Sequence, residues 1–120
     1  MDYTKEAQER WGKTEAYSEY AEKVSKYSPE EFSKINAGLD GILGEFAVCM
    51  KSGFTPDSAE AKALVRKLRD YITENYYNCT DEILAGLGQM YVNDERFKKN
   101  IDRHADGTAE FISEAIKGEL

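Results

Sequence analysis

Cross-links, metal ligands and membrane anchors are scarce in this chain, and each shortage closes off a class of protein. The two cysteines, Cys49 and Cys79, lie far apart without a second pair, which gives neither a disulfide framework nor a metal-ligand spacing. A reducing, cytoplasmic setting fits that usage. His104 is the single histidine; it stands beside the Asp106-Gly107 turn with no companion ligand at helical spacing. Neither haem nor zinc is therefore expected, no cofactor is implied, and His104 reads as a surface residue. The opening Met1-Asp2-Tyr3-Thr4-Lys5-Glu6 is polar, and no apolar run reaches the length of a signal core or a membrane span. A soluble protein with no membrane partner is expected. Cations are outnumbered, 16 Lys and Arg against 23 Asp and Glu, and the formal charge of −7 would repel a phosphate backbone. Direct nucleic-acid binding is accordingly not expected.

Prolines are few as well, only Pro29 and Pro56, both where a helix should begin, and no stretch alternates as a strand would. With 120 residues, the expectation is a single all-α domain spanning 1–120. Ser28-Pro29-Glu30-Glu31 reads as an N-cap, a first-turn proline and a capping-box glutamate. It opens a long helix with Phe32, Ile35, Leu39, Ile42, Leu43, Phe46 and Met50 on one face, stopped at Gly53. Asp57 with Glu60 reads as a second capping box, followed by a stripe of Ala61, Leu64, Val65, Leu68, Tyr71, Ile72 and Tyr76. Thr80 can cap the next helix, with Ile83, Leu84, Leu87 and Tyr91 inward; a short helix carries Phe97 and Ile101. After Asp106-Gly107, Phe111, Ile112, Ala115 and Ile116 mark a closing helix, which makes about five helices from Pro29 onward. Gly38, Gly41 and Gly44 sit at a spacing of three in the long helix, where they could let another element approach closely or simply be tolerated.

The first 27 residues differ in character. Their apolar positions are mostly aromatic, namely Trp11, Tyr17, Tyr20 and Tyr27, with Val24 the branched aliphatic among them, and Gly12 divides the segment into two short helices. Helices of that length are marginal alone in water, so the segment must dock on something to be ordered. It reads either as a mobile lid over a core of residues 28–120 or as an ordinary amphipathic helix packed on it.

Chemistry concentrates at Tyr76-Tyr77-Asn78-Cys79-Thr80, which puts a cysteine where a helix begins. First-turn N–H groups and the helix dipole favour a thiolate there, which would make Cys79 a nucleophile; the alternative is a buried, inert thiol. Cys49 falls near the inward stripe of the long helix and reads as a small core filler. The acid pairs Glu30-Glu31 and Asp81-Glu82 lie in first turns, where they complement the dipole. No nucleophile, base and orienting group come together, so an enzyme is not expected.

Several motifs occur together and in order: Glu9-Arg10-Trp11-Gly12, Thr14-Glu15-Ala16-Tyr17, Tyr76-Tyr77-Asn78-Cys79, Gly86-Leu87-Gly88, Met90-Tyr91-Val92 and Asp94-Glu95-Arg96-Phe97, with Ala109 through Ile116 closing the chain. In this the sequence resembles the TipAS antibiotic-recognition domain, the C-terminal ligand-binding part of thiostrepton-inducible activators of the MerR family. The resemblance implies a globin-like helical fold without haem and a cleft for bulky hydrophobic, peptide-derived antibiotics. It also implies an N-terminal segment that folds over bound drug, and a partner MerR-type DNA-binding domain outside this stretch. It further implies that Cys79 adds to a dehydroalanine of thiopeptides. Two positions depart from the family pattern: Tyr71 stands where histidine is frequent, and Asn78 where an aspartate commonly precedes the cysteine. The candidate ligand-binding residues are then Cys79, from the motif, with Trp11, Tyr17, Tyr76, Leu87 and Met90, from aromatic position and proximity to the cysteine. A competing reading keeps the same aromatic stripe but docks a partner helix in a groove.

Overall fold

A computed structural model describes residues 15–120, which form six α-helices in the order α1 (Glu15–Ser25), α2 (Pro29–Lys51), α3 (Ala59–Asn75), α4 (Asp81–Asn93), α5 (Glu95–Asp102) and α6 (Thr108–Glu119). No strand occurs among the described residues. The expected five helices from Pro29 onward are all present. The break at Gly12 and its first short helix lie outside the described residues.

Local chemistry sets most of the boundaries. At α2 the capping box is complete: Ser28 Oγ accepts from the Glu31 amide at 3.1 Å while the Ser28 amide donates to Glu31 Oε1 at 3.2 Å. Thr80 Oγ1 accepts from the Ile83 amide at 3.2 Å and starts α4. The start of α3 departs from the sequence expectation. Ser58, not Asp57, is the N-cap, its hydroxyl accepting from the Ala61 amide at 3.1 Å. Asp57 instead accepts from the Thr55 hydroxyl inside the preceding turn, because an aspartate can cap its own turn as readily as a helix.

Gly107 precedes α6 with φ +88°, a left-handed conformation that a side chain would resist, and having no side chain it cannot cap the helix. Asp102, in the last turn of α5, supplies the missing acceptor: its Oδ1 takes the Ala109 amide at 2.9 Å. This remote cap fixes α6 against α5.

The apolar stripes meet in one core. Leu39, Ile42, Leu43 and Phe46 of α2, Val65, Leu68 and Ile72 of α3, Leu84, Leu87 and Tyr91 of α4, and Phe97 and Ile101 of α5 are all buried. α6 packs against each of α2 to α5, which explains why its buried positions run nearly all round it, from Thr108 and Ala109 through Phe111, Ile112 and Ser113 to Ala115 and Ile116. Cys49 is buried beside this core, as its place on the stripe implied.

Two of the three α2 glycines accommodate a neighbour. A methyl group at Gly38 would meet the phenol of Tyr71, whose hydroxyl donates to the Ile35 carbonyl at 2.6 Å. One at Gly44 would lie 3.3 Å from the His104 ring. Gly41 faces open space. His104 is accordingly half-buried rather than a free surface residue: its Nε2 lies 3.1 Å from Asp40 Oδ1, against the shallow face that Gly44 leaves on α2.

Candidate functional site

The end of α3 and the start of α4 leave a short connection, Tyr76 to Thr80, over which α1 lies. Tyr76 caps α3, and its ring is fully buried, stacked on Tyr20 of α1 at a centroid distance of 6.2 Å with 14° between planes. Tyr77, also fully buried, meets Tyr20 edge-on at 6.4 Å. Phe32 of α2 joins from the other side, edge-on to Tyr76 and stacked on Tyr27. Such ring pairs add about 0.5–1.5 kcal/mol each beyond area burial, so this cluster is the main apolar anchor of α1.

Polar bonds complete the attachment. Lys23 Nζ donates to the carbonyls of Thr73 at 2.6 Å and Glu74 at 3.2 Å, and the Tyr27 hydroxyl donates to the Asn75 carbonyl at 2.8 Å. These carbonyls end α3, which has no basic residue of its own in its last turn. A cation there also complements the negative end of the helix dipole.

Cys79 lies inside this junction and is 4% exposed. Its amide donates to Thr73 Oγ1 at 3.1 Å, and its Sγ sits 3.9 Å from the Thr80 carbonyl. Of the two readings of Cys79, the surroundings favour the buried, un-ionised thiol. Burial pushes the Cys79 thiol up to about 12; the Arg69 guanidinium draws it back only in part, and Asp81 raises it further. Thr80, not Cys79, is the cap of α4, so the dipole argument applied to the sequence loses to desolvation in the fold. Burial also raises the phenol of Tyr76, whose hydroxyl donates to Asn36 Oδ1 at 2.6 Å.

Leu87 and Met90 are buried in α4 among the core residues. Trp11 lies outside the described residues, and so does the side chain of Tyr17. Tyr76, Cys79, Leu87 and Met90 all fall within the one buried core cluster. Tyr20, absent from the expected contacts, is the ring that joins Tyr76 and Tyr77 to α1; its only sequence signal was its place in the aromatic series of the first 27 residues.

Buried acids of this kind make stability depend on pH. In the unfolded chain the thiol loses its proton near its ordinary value of 9.0, in the folded chain only near about 12. Between those values the unfolded state binds fewer protons, so the contribution of Cys79 is complete below about pH 9 and is lost as pH rises through the folded value. The loss is expected to approach ~2 kcal/mol between about pH 9 and 10.5, at ~1.4 kcal/mol per pH unit for one proton. Urea midpoints measured across that range test this, and Cys79→Ala should make the curve shallower below about pH 10, leaving the part contributed by Cys49, whose thiol burial also raises.

Comparison with known proteins bears on the same residues. The family model of the TipAS antibiotic-recognition domain matches residues 3–118. The chain belongs to the TipAS family. Its relatives include the HTH-type transcriptional activator TipA of Streptomyces coelicolor, 38% identical over 114 residues, which is 95% of this chain and 45% of that protein. The HTH-type transcriptional activator mta of Bacillus subtilis is 40% identical over 114 residues, covering 95% of this chain and 43% of mta. This TipAS domain therefore spans less than half the length of those relatives. A solved structure of nosiheptide in complex with TipAS, from a thiopeptide multidrug resistance system of Streptomyces lividans, superimposes with a TM-score of 0.83 at 37% identity. It covers 98% of this chain and 82% of that one. The antibiotic-binding domain of a TipA-class multidrug resistance regulator gives a TM-score of 0.65 at 35% identity, over 71% of this chain and 90% of that one. The all-α architecture inferred from sequence is thus the TipAS architecture. No helix among the described residues is long and apolar enough to cross a membrane.

Proposed function

We propose that this TipAS domain captures hydrophobic, peptide-derived antibiotics of the thiopeptide class at the Tyr76–Cys79 junction, as the effector domain of a transcription activator. In this reading residues 1–27 are a lid over the core of residues 28–120. The observation that carries it is the docking of α1 on the paired rings of Tyr76 and Tyr77, directly beside the motif cysteine. Aromatic surfaces that hold an amphipathic helix through stacking can hold a flat heteroaromatic ligand by the same forces. Trp11 and Tyr17 would then reach the ligand from the lid, Tyr76 would face it from the junction, and Leu87 and Met90 would form the apolar floor.

The covalent step is an addition. The Cys79 sulfur, once deprotonated, bonds to the terminal carbon of a dehydroalanine alkene, and the adjacent carbon takes a proton from water. Nothing leaves and the thiol is consumed, so the domain traps its ligand once instead of turning over, and it acts as a receptor, not an enzyme.

Nosiheptide is the test compound, since a relative of this fold is known in complex with it. At a hundred times the dissociation constant, binding to the folded state alone is expected to add about 2.7 kcal/mol of stability, read as a rise in Tm. Intact-mass spectrometry should show one adduct, mapped to Cys79 and absent from Cys49, and Cys79→Ala should keep the reversible rise in Tm while losing the adduct. Absence of any thermal shift at saturating nosiheptide would remove the ligand reading; an adduct on Cys49 would place the cleft elsewhere on the core.

A further inference from the structure

A cavity of about 290 Å³ lies between α2 and α5, bounded by Asn36, Ala37, Leu39 and Asp40 on one side and Asn100 and Arg103 on the other. Its polar groups are already arranged by bonds to one another. Asp40 accepts from Arg103 Nη2 at 2.7 Å and faces His104 Nε2 at 3.1 Å. Burial alone would raise the Asp40 carboxyl, yet the bonds and charges of Arg103 and His104 hold it below its ordinary value. The two carboxamides are oriented by the same logic. Asn36 Oδ1 accepts from the Tyr76 hydroxyl at 2.6 Å, and Asn100 Oδ1 accepts from Arg103 Nε at 3.4 Å. With one lone pair of each carbonyl engaged, what each asparagine chiefly offers a ligand is its NH₂ donor.

These features specify an occupant. The lining carries an ion pair that is already balanced, so a carboxylate would meet Asp40 and an ammonium would meet Arg103, each at a desolvation cost without a free counter-charge. An uncharged carbonyl suits two NH₂ donors, and Ala37 with Leu39 gives an apolar wall for a ring. The volume holds a ring with one substituent, not a whole peptide antibiotic. We infer that the α2–α5 cavity is a second small-ligand site, selective for uncharged, carbonyl-bearing aromatic compounds. It goes beyond capture at Cys79 and stands or falls separately from it: Asn36 is tied to Tyr76, but no step of the proposal uses the thiol.

Benzamide is the probe, with benzoate and benzylammonium as its charged isosteres, titrated into the ¹⁵N-labelled whole chain and followed by NMR. Benzamide is expected to bind with a Kd in the millimolar range, as befits so small a ligand, and to shift the side-chain NH₂ signals of Asn36 and Asn100 with one saturating curve. Each charged isostere should bind about tenfold more weakly or worse. Ala37 is exposed on α2, so Ala37→Trp should fill the cavity without disturbing the core and weaken benzamide about tenfold. Asn100→Leu, which removes one donor, gives an independent loss of affinity should the Trp variant fold poorly. No saturable shift of the two carboxamides, shifts confined to other surfaces, undiminished binding in both variants, or equal binding of the charged isosteres would each overturn the assignment. Nosiheptide adduct formation at Cys79 in the Ala37→Trp variant reads the other site and stays the same in either case.

Discussion

Iodoacetamide at about pH 8 is expected to alkylate Cys79 in the folded domain roughly a thousandfold more slowly than in the urea-unfolded chain. The thiolate is the reacting species, and a thiol moved from 9.0 to about 12 holds roughly a thousandth as much of it. Burial at 4% exposure slows access in the same direction. The two contributions separate in the pH profile: with the thiol shifted upward, the logarithm of the rate should climb by about one per pH unit to beyond pH 10 without levelling near 9. Time courses read by peptide mapping, which separates Cys79 from Cys49, supply both measurements. Tyr20→Ala, which removes the ring stacked on Tyr76, should raise the rate about tenfold or more by weakening the cover. A folded-state rate that levels off at or below pH 9 would show that the junction activates the thiol instead of suppressing it.

Gly38→Ala is expected to have opposite signs in two backgrounds. In an ordinary helix interior the change stabilises by roughly 0.8–1 kcal/mol, and Gly41, which faces open space on the same helix, should gain about that much as Ala. At Gly38 the new methyl would sit 2.9 Å from Tyr71 Cζ and closer still to its hydroxyl, so the phenol must move and give up its bond to Ile35. The overpacking costs ~1–3 kcal/mol and the lost hydrogen bond ~1 kcal/mol, against the helical gain, for a net loss of about 1–3 kcal/mol. In a Tyr71→Ala background the obstruction is gone and Gly38→Ala should stabilise, as at Gly41. Urea midpoints of the four proteins in the cycle decide it; a stabilising Gly38→Ala in the wild-type background would contradict the packing described between α2 and α3.

Features that act over one turn of chain could be read without the fold. The Ser28–Glu31 box, the Thr80 cap and the Gly107 turn are each complete within a few residues, so the sequence shows both partners at once. Asp57 misled because two local uses of one carboxylate compete, and the hydroxyl of Thr55 won it. Features that join distant segments were not legible. Asp40 and His104 are 64 apart in sequence, so nothing near His104 reveals its partner. Gly38 makes sense only with Tyr71 beside it. The candidate site was legible as a motif but not as an environment. A cysteine just before a helix can read as activated or as buried; that burial wins and holds the thiol un-ionised depends on how the helices close over it.

The way α1 is held has a consequence for timing. Of the last four carbonyls of α3, that of Ile72 is taken by the amides of Tyr76 and Tyr77, while those of Thr73, Glu74 and Asn75 are taken by Lys23 and Tyr27. α1 and the turn after it thus serve as the C-terminal cap of α3, and detaching them leaves the final turn of α3 prone to fray. That turn includes Thr73, whose hydroxyl holds the Cys79 amide. Unlatching the cover and unveiling the thiol are therefore one event. For the capture proposed above this sets an order: α1 would have to lift before the bond could form, and close again afterwards. Small electrophiles that meet the folded domain would encounter a buried, un-ionised sulfur, so under the proposed capture only a ligand that loosens the end of α3 would reach it.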